Sequence, residues 1–342
     1  MLNSCIIGAG FAARLHAQAY EGAARIDGVA DPDLLRAQAL AQDFGCEAFT
    51  DAKTMLERVR PTIVSVCVPT FLHAQVVELA ASFGCHALCE KPLALTNADC
   101  HRIETAGRSI KVMTAQVLRY WPEYRQAREL FAAGRAGEIR FLHASRLLRA
   151  SRGGWFRDAA QSGGALFDLM THDTDYALWV LGGDVRQLFA VGRQNGQGAW
   201  SHVYATLRFE NGAVATLEAG NDQPEGFPFT TLLRVSGDRG CVQVETGAEG
   251  NIGAGVTPFT RLTLLENGRM TVLPVTNANE NAQERAFRDE VHAFVNAVRE
   301  DRPCPIPLGE SVRVIRLLNL IRQSLEERRA IDDVRERLEA GE

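Results

Sequence analysis

Short strand-like runs alternate with helical stretches over the first third of the chain. Residues 34–44 and 72–83 carry apolar side chains at helical spacing. The strand-like runs around them lie at 5–7, 26–30, 62–68, 87–89 and 111–115. Strands and helices that alternate at this pitch predict a parallel sheet with helices on both faces. We therefore expect an α/β dinucleotide-binding domain of the Rossmann type over residues 1–119.

The pattern changes near residue 120. Pro122 begins a predicted helix that ends before Gly134. Seven strand-like stretches follow, at 138–148, 202–209, 213–218, 232–236, 241–245, 262–265 and 270–274. Asn211-Gly212 between two of them is a strong hairpin signal. These features predict a second domain, residues 120–342, of α+β type with a large and mostly antiparallel sheet.

Two predicted helices close the chain. The first carries an apolar stripe over 287–298, and the second covers about 310–328. Core packing explains both stripes. We expect the charged residues after Arg328 to form a solvated end.

Composition and charge exclude several classes of protein. The chain has 342 residues, of which 46% are hydrophobic and 23% are charged, as in a soluble globular protein of about two domains. The net charge of −5 gives no reason to expect nucleic acid or an anionic membrane as partner. No apolar run approaches the ~18 residues of a membrane span, and the N-terminal residues lack the pattern of a signal peptide.

Eight cysteines are too few for a disulfide scaffold. The closest group, Cys85, His86, Cys89 and Cys100, lacks a second tight pair at zinc spacing. We expect reduced and mostly buried thiols, no metal, and a cytoplasmic location.

A glycine-rich loop follows the first strand and opens a helix. Gly8-Ala9-Gly10-Phe11-Ala12-Ala13 reads as G-x-G-x-x-A. The first glycine suits a tight turn, the second lets the backbone approach a pyrophosphate, and the small Ala13 allows close helix–strand packing. We expect this loop to bind a dinucleotide, with Gly8, Gly10, Phe11 and Ala12 against the phosphates.

An acidic residue ends the next strand. Asp31 lies 21 residues beyond Gly10, where a carboxylate accepts hydrogen bonds from both ribose hydroxyls and repels a 2′-phosphate. Pro32 offers no cation for that phosphate. The sequence therefore favours NAD over NADP.

Two further segments carry a family resemblance. Cys89-Glu90-Lys91-Pro92 ends a predicted strand, and residues 162–175 read SGGALFDLMTHDTD. Together with the loop at Gly8, these segments resemble the glucose–fructose oxidoreductase, inositol dehydrogenase and rhizopine-catabolism family over nearly the whole chain. The resemblance implies Pro69, Thr70, His73, Glu90 and Lys91 beside the nicotinamide. It also suggests Arg119, Trp155 and Arg157 as walls of the substrate pocket.

Residue chemistry supports a dehydrogenase mechanism. Lys91 follows a strand end, where open parallel sheets place their ligand crevice, and its charge would lower the pKa of a substrate hydroxyl. Asp168, His172 and Asp175 have i, i+4, i+7 spacing and fall within about 60° of one helix face. A histidine between carboxylates suits proton transfer. Lys91, His172 and Asp168 are the predicted catalytic residues, and His172 and Asp168 would also contact the substrate.

Two positions depart from the family pattern. Met170 stands where the family often has glycine, but helical geometry points it away from His172. Ser162 replaces the first glycine of a G-G-G run and can serve at a helix start.

The expected function is NAD-dependent hydride transfer between nicotinamide and a secondary alcohol or ketone of a sugar, sugar derivative or inositol. Two alternatives stay open: a related reductase of a ketosugar nucleotide or a dihydrodiol, and a catalytically silent cofactor-binding regulator. The resemblance also implies a homodimer or homotetramer formed through the sheet of the second domain.

Overall fold

The computed structural model describes residues 2–150, 153–249, 257–275 and 281–341. The chain forms two compact units, residues 1–120 with 280–315 and residues 121–279 with 316–342. The strands are β1 Leu2–Ile7, β2 Ala24–Ala30, β3 Glu47–Phe49, β4 Ile63–Val66, β5 His86–Glu90, β6 Val112–Ala115, β7 Ile139–Arg149, β8 Val185–Gln194, β9 Trp200–Phe209, β10 Val214–Gln223, β11 Thr230–Gly237, β12 Gly240–Glu249, β13 Thr257–Glu266, β14 Arg269–Leu273 and β15 Ile331–Asp332. The helices are α1 Phe11–Ala19, α2 Leu34–Phe44, α3 Ala52–Val59, α4 His73–Ser82, α5 Asn97–Ala106, α6 Pro122–Ala132, α7 Ala159–Ser162, α8 Ala165–Asp168, α9 Met170–Leu181, α10 Ala282–Arg299, α11 Leu308–Glu327 and α12 Val334–Ala340.

The first unit is built on a six-stranded parallel sheet in the order β3-β2-β1-β4-β5-β6. The order reverses between β1 and β4, so the connections from these two strands leave in opposite directions. Open sheets of this kind bind ligands in the crevice outside the carboxyl ends of the strands at that point. The predicted α/β fold is confirmed.

Local sequence signals fix the helices of this unit. The Asp33 side chain caps α2 by accepting from the N–H groups of Leu35 and Arg36. Gly45 ends the helix in the left-handed region with φ +66. The predicted helix over 34–44 is confirmed with the same bounds.

The sequence prediction was wrong about residues 280–315. It assigned all of 120–342 to the second domain, but 280–315 form part of the first unit. Helix α10 packs on α1 and buries Phe287, Val291 and Phe294. The apolar stripe needs burial, and the stripe alone does not say which domain provides it.

The second unit contains a nine-stranded sheet in the order β14-β13-β12-β11-β7-β10-β9-β8-β15. Neighbours pair antiparallel except β7 and β10, which pair parallel, so the predicted mostly antiparallel sheet is confirmed. Gly212 has φ +86 in the hairpin between β9 and β10. One face buries Ala144, Val203 and Leu217, whereas the other face exposes aromatic and aliphatic side chains.

The prediction that the residues after Arg328 form a solvated end was wrong. Ile331 lies in β15, which pairs with β8, and Val334 and Leu338 lie on α12. All three side chains are buried. These apolar residues alternate with charged neighbours, and they pack one side of the segment against the rest of the second unit.

The described part of the chain contains no helix that is both long enough and apolar enough to cross a membrane. All eight cysteines are free thiols.

Candidate active site

The glycine-rich loop between β1 and α1 has the geometry of a phosphate cradle. Gly8 has φ +97, and a Cβ there would lie 2.4 Å from the Cys67 carbonyl oxygen, so only glycine fits. Gly10 precedes α1 with φ −87, and within the described chain no atom lies within 4 Å of the position of a Cβ. Phe11 is 74% exposed, and Ala12 is partly exposed. The first N–H groups of α1 therefore face open space.

Asp31 is fixed beside this loop at the carboxyl end of β2. Its Oδ2 accepts from the Ala9 N–H at 2.8 Å, and its Oδ1 accepts from the Asp33 N–H at 2.9 Å. The carboxylate is partly buried and keeps a defined orientation. The open cradle and the oriented carboxylate fit a dinucleotide.

His73 connects the loops that follow β4 and β5. Its Nε2 lies 3.0 Å from the Val68 carbonyl oxygen, and its Nδ1 lies 2.9 Å from that of Pro92. Burial lowers the pKa of His73, although both carbonyls act in the opposite direction. Pro69 is partly buried and Thr70 is buried in the same loop after β4. The structure therefore places Pro69, Thr70 and His73 together at this edge of the sheet.

Glu90 and Lys91 lie at the carboxyl end of β5. Glu90 is 9% exposed, and its Oε1 lies 3.0 Å from His16 Nε2. The Lys91 N–H donates to its Oε2 at 3.1 Å. Burial would raise the pKa of Glu90, but the hydrogen bond from His16 and the charge of Lys91 lower it overall. Lys91 itself is partly buried.

His16, Ser65 and Tyr20 were not predicted from the sequence as site residues. His16 is fully buried, and its Nδ1 lies 2.9 Å from Ser65 Oγ. The Tyr20 hydroxyl lies 2.8 Å from the same oxygen. His16 shares the buried face of α1 with Ala13 and Ala17, and a polar residue on such a face was the signal available in the sequence.

In the second unit, two glycines shape the turn before the predicted catalytic histidine. Gly163 and Gly164 have φ +68 and +70, and a Cβ on Gly164 would lie 2.5 Å from the Trp200 carbonyl oxygen. Ser162 Oγ accepts from the Gly164 N–H at 3.0 Å and donates to the Phe156 carbonyl at 2.8 Å. Ser162 therefore ends α7 rather than beginning a helix.

The predicted single helix through Asp168, His172 and Asp175 is two helices. Asp168 ends α8 and Met170 begins α9, with Leu169 between them at φ −105 and ψ −51. Asp168 is 8% exposed and Asp175 is fully buried, whereas His172 is partly exposed. Met170 is fully buried, as expected for a side chain directed away from His172.

A buried ion pair holds the first turn of α9. Arg146 on β7 donates from Nε and Nη2 to the two carboxylate oxygens of Asp173, each at 3.0 Å. Both side chains are at most 7% exposed. This pair was not predicted from the sequence because its members are 27 residues apart and share no local motif.

The three suggested pocket residues have different surroundings. Arg119 is 8% exposed, and its Nη1 lies 2.6 Å from a Glu310 carboxylate oxygen in the same unit. Trp155 stacks on Phe156 with ring centroids 4.0 Å apart. Arg157 is exposed and lines a cavity of about 480 Å³ in the second unit, together with Phe156.

Comparisons with known proteins cover both units. A family described as an oxidoreductase family with an NAD-binding Rossmann fold matches residues 2–117, and the GFO/IDH/MocA C-terminal domain matches residues 124–243. D-glucoside 3-dehydrogenase of Escherichia coli K12 is 33% identical over 243 residues, which are 64% of this chain and 69% of the relative. UDP-N-acetylglucosamine 3-dehydrogenase of Acidithiobacillus ferrooxidans is 28% identical over 88% of this chain and 90% of its own. A levoglucosan dehydrogenase structure with NADH has a TM-score of 0.83 at 21% identity and covers 97% of this chain and 98% of its own.

Proposed function

The chain belongs to the GFO/IDH/MocA family of NAD-binding oxidoreductases, and we propose that it is an NAD-dependent dehydrogenase or reductase acting on a secondary alcohol or ketone of a sugar, sugar derivative or inositol. One observation carries the proposal. The phosphate loop, Asp31 and the Glu90-Lys91 pair share the carboxyl edge of one parallel sheet, on strands β1, β2 and β5. The names of the two sugar dehydrogenase relatives support the substrate class.

We infer that the cofactor is NAD rather than NADP. Asp31 Oδ1 and Oδ2 each accept one backbone N–H, and the remaining lone pairs suit the two adenosine ribose hydroxyls. A 2′-phosphate at the same place would meet a fixed carboxylate. The solved relative with bound NADH supports this choice.

The chemistry divides among three side chains in this proposal. Lys91 holds the reacting oxygen and stabilises negative charge that develops on it. His172 accepts the hydroxyl proton during oxidation and returns it during reduction. Asp168 orients His172. The bound nicotinamide supplies the hydride chemistry.

We also propose that the enzyme is a cytoplasmic homodimer or homotetramer. The face of the nine-stranded sheet with Phe141, Tyr204 and Met270 exposes these side chains by 60%, 50% and 72%. A second subunit would remove this apolar surface from water. The free cysteines are compatible with a reducing compartment.

A substrate screen tests the proposed activity. The purified enzyme is given NAD or NADP with alkyl glucosides, aldoses, sugar acids, inositols and UDP-N-acetylglucosamine, and formation of reduced nicotinamide is followed by absorbance. Lys91→Ala serves as the matched blank. We expect a rate with NAD on at least one of these compounds that is lost in the variant. Cofactor binding without turnover on any compound would contradict the proposal.

A further inference from the structure

The side chains of Tyr20, Ser65, His16 and Glu90 form a continuous buried hydrogen-bond network. The Tyr20 hydroxyl lies 2.8 Å from Ser65 Oγ, Ser65 Oγ lies 2.9 Å from His16 Nδ1, and His16 Nε2 lies 3.0 Å from Glu90 Oε1. Tyr20, Ser65 and His16 are at most 1% exposed. The His16 and Phe287 rings pack edge to face, with their centroids 5.8 Å apart.

The hydrogen bonds of this network can all be donated in one direction, from Tyr20 towards Glu90. The pKa of Glu90 is lowered, so its carboxylate accepts the Nε2–H of His16. In the tautomer that carries its proton on Nε2, His16 Nδ1 is an acceptor, and it accepts a hydrogen bond from the Ser65 hydroxyl. Ser65 Oγ in turn accepts from Tyr20, whose pKa is raised by burial so that its hydroxyl keeps its proton. In this arrangement each of the three donors has an acceptor.

Glu90 is placed where the nicotinamide end of a dinucleotide would lie. Strand β5 is the second strand from β1, so two strand spacings separate Glu90 from the phosphate loop by about 10 Å. That span suits a nicotinamide riboside. The Glu90 side chain is 11% exposed, so its charge acts through a poorly hydrated environment.

We propose that Tyr20, Ser65 and His16 are positioning residues that hold Glu90 as an oriented, ionised carboxylate, whose charge strengthens binding of the oxidised cofactor relative to the reduced cofactor. The nicotinamide ring is positively charged when oxidised and neutral when reduced, so a fixed negative charge discriminates between the two forms. The inference rests on the proposed NAD-binding function. Other ionisable groups near Glu90 are His73, Lys91, Cys67 and Cys89, and the test leaves all four unchanged.

The test measures dissociation constants for NAD and NADH by calorimetry on the full-length protein without substrate. For Glu90→Gln we expect the preference for NAD over NADH to fall by about tenfold, because the charge is removed. For His16→Leu we expect a smaller fall of about threefold, because the buried carboxylate loses its donor and is partly protonated. His16→Gln keeps an amide N–H near the position of Nε2 and should restore most of the preference.

Two controls separate this effect from general damage. Asp31→Asn should weaken NAD and NADH equally, since the adenosine ribose is the same in both. His101→Leu, on an exposed histidine, should change neither constant. If His16→Leu does not fold, Ser65→Ala removes the donor to Nδ1 and is expected to shift the ratio in the same direction.

The results distinguish failure of this inference from failure of the proposed function. Equal weakening of NAD and NADH by Glu90→Gln and His16→Leu would overturn the inference while leaving the proposed cofactor site intact. Failure of the unmodified protein to bind either form would overturn the proposed function, and the inference with it.

Discussion

Alanine substitution should have different effects at the two glycines of the glycine-rich loop: at Gly8 it should lower stability, and at Gly10 it should weaken cofactor binding. In Gly8→Ala the new Cβ would lie 2.4 Å from the Cys67 carbonyl oxygen, and φ +97 is a conformation that L residues rarely adopt. The backbone strain and the forced displacement of the loop each cost about 1–3 kcal/mol. We expect Gly8→Ala to lower the free energy of unfolding by about 3 kcal/mol.

Gly10→Ala is the matched variant. Its φ of −87 suits alanine, and a Cβ there meets no atom of the described chain within 4 Å. The free energy of unfolding should change by less than about 0.5 kcal/mol. The methyl group would instead occupy the space through which the pyrophosphate approaches the backbone, so we expect NADH affinity to fall at least about tenfold.

Urea unfolding and NADH fluorescence titration on the same preparations measure both effects. Wild-type NADH affinity in Gly10→Ala would refute the assignment of this loop to the phosphates. Unchanged stability in Gly8→Ala would refute the argument from its close contact with Cys67.

Three further predictions concern other parts of the chain. Arg146→Met leaves Asp173 buried without its partner and should cost about 3–5 kcal/mol in urea unfolding; the double variant Arg146→Met, Asp173→Leu should recover most of that, and an equally unstable double variant would contradict the ion-pair account. Asp31→Ala should weaken NADH binding about tenfold in fluorescence titrations and should reduce the difference between the affinities for NADH and NADPH. An unchanged preference for NADH would contradict the assignment of Asp31 to the ribose. Burial raises the pKa of Glu123 from 4.5 to about 7 in the folded protein, so the folded state binds the proton more tightly and stability falls as pH rises from about 4.5 to 7. Glu123→Gln should therefore be more stable than wild type by up to about 3 kcal/mol at about pH 8 and nearly equal at about pH 4.5, and a difference independent of pH would contradict this account.

Local signals predicted most of the fold. The alternation of strands and helices, the Asp33 cap with Gly45, and the Asn211-Gly212 turn each act within a few residues, so a single sequence reveals them. The glycine-rich turn after β1 and the position of Asp31 at the end of β2 were predictable for the same reason, since one strand–turn–helix unit and the next strand position them.

The errors concern contacts between distant segments. An apolar stripe shows that α10 is buried but not that α1 covers it, and the Arg146–Asp173 pair joins residues with no shared motif. The hydrogen-bond network from Tyr20 to Glu90 likewise joins residues of separate elements. The break between α8 and α9 at Leu169 was not predicted, because helical spacing carries no information on where a helix is interrupted.

Turnover of a double variant tests the central claim most directly. Using the best substrate from the screen, initial rates of NADH formation are compared for wild type, Lys91→Ala, His172→Ala and the double variant, with NADH binding measured alongside. We predict that each single variant loses at least about a hundredfold in turnover, that the double variant falls to background, and that all of them still bind NADH. A double variant with turnover near that of wild type would contradict the proposed catalytic roles of Lys91 and His172.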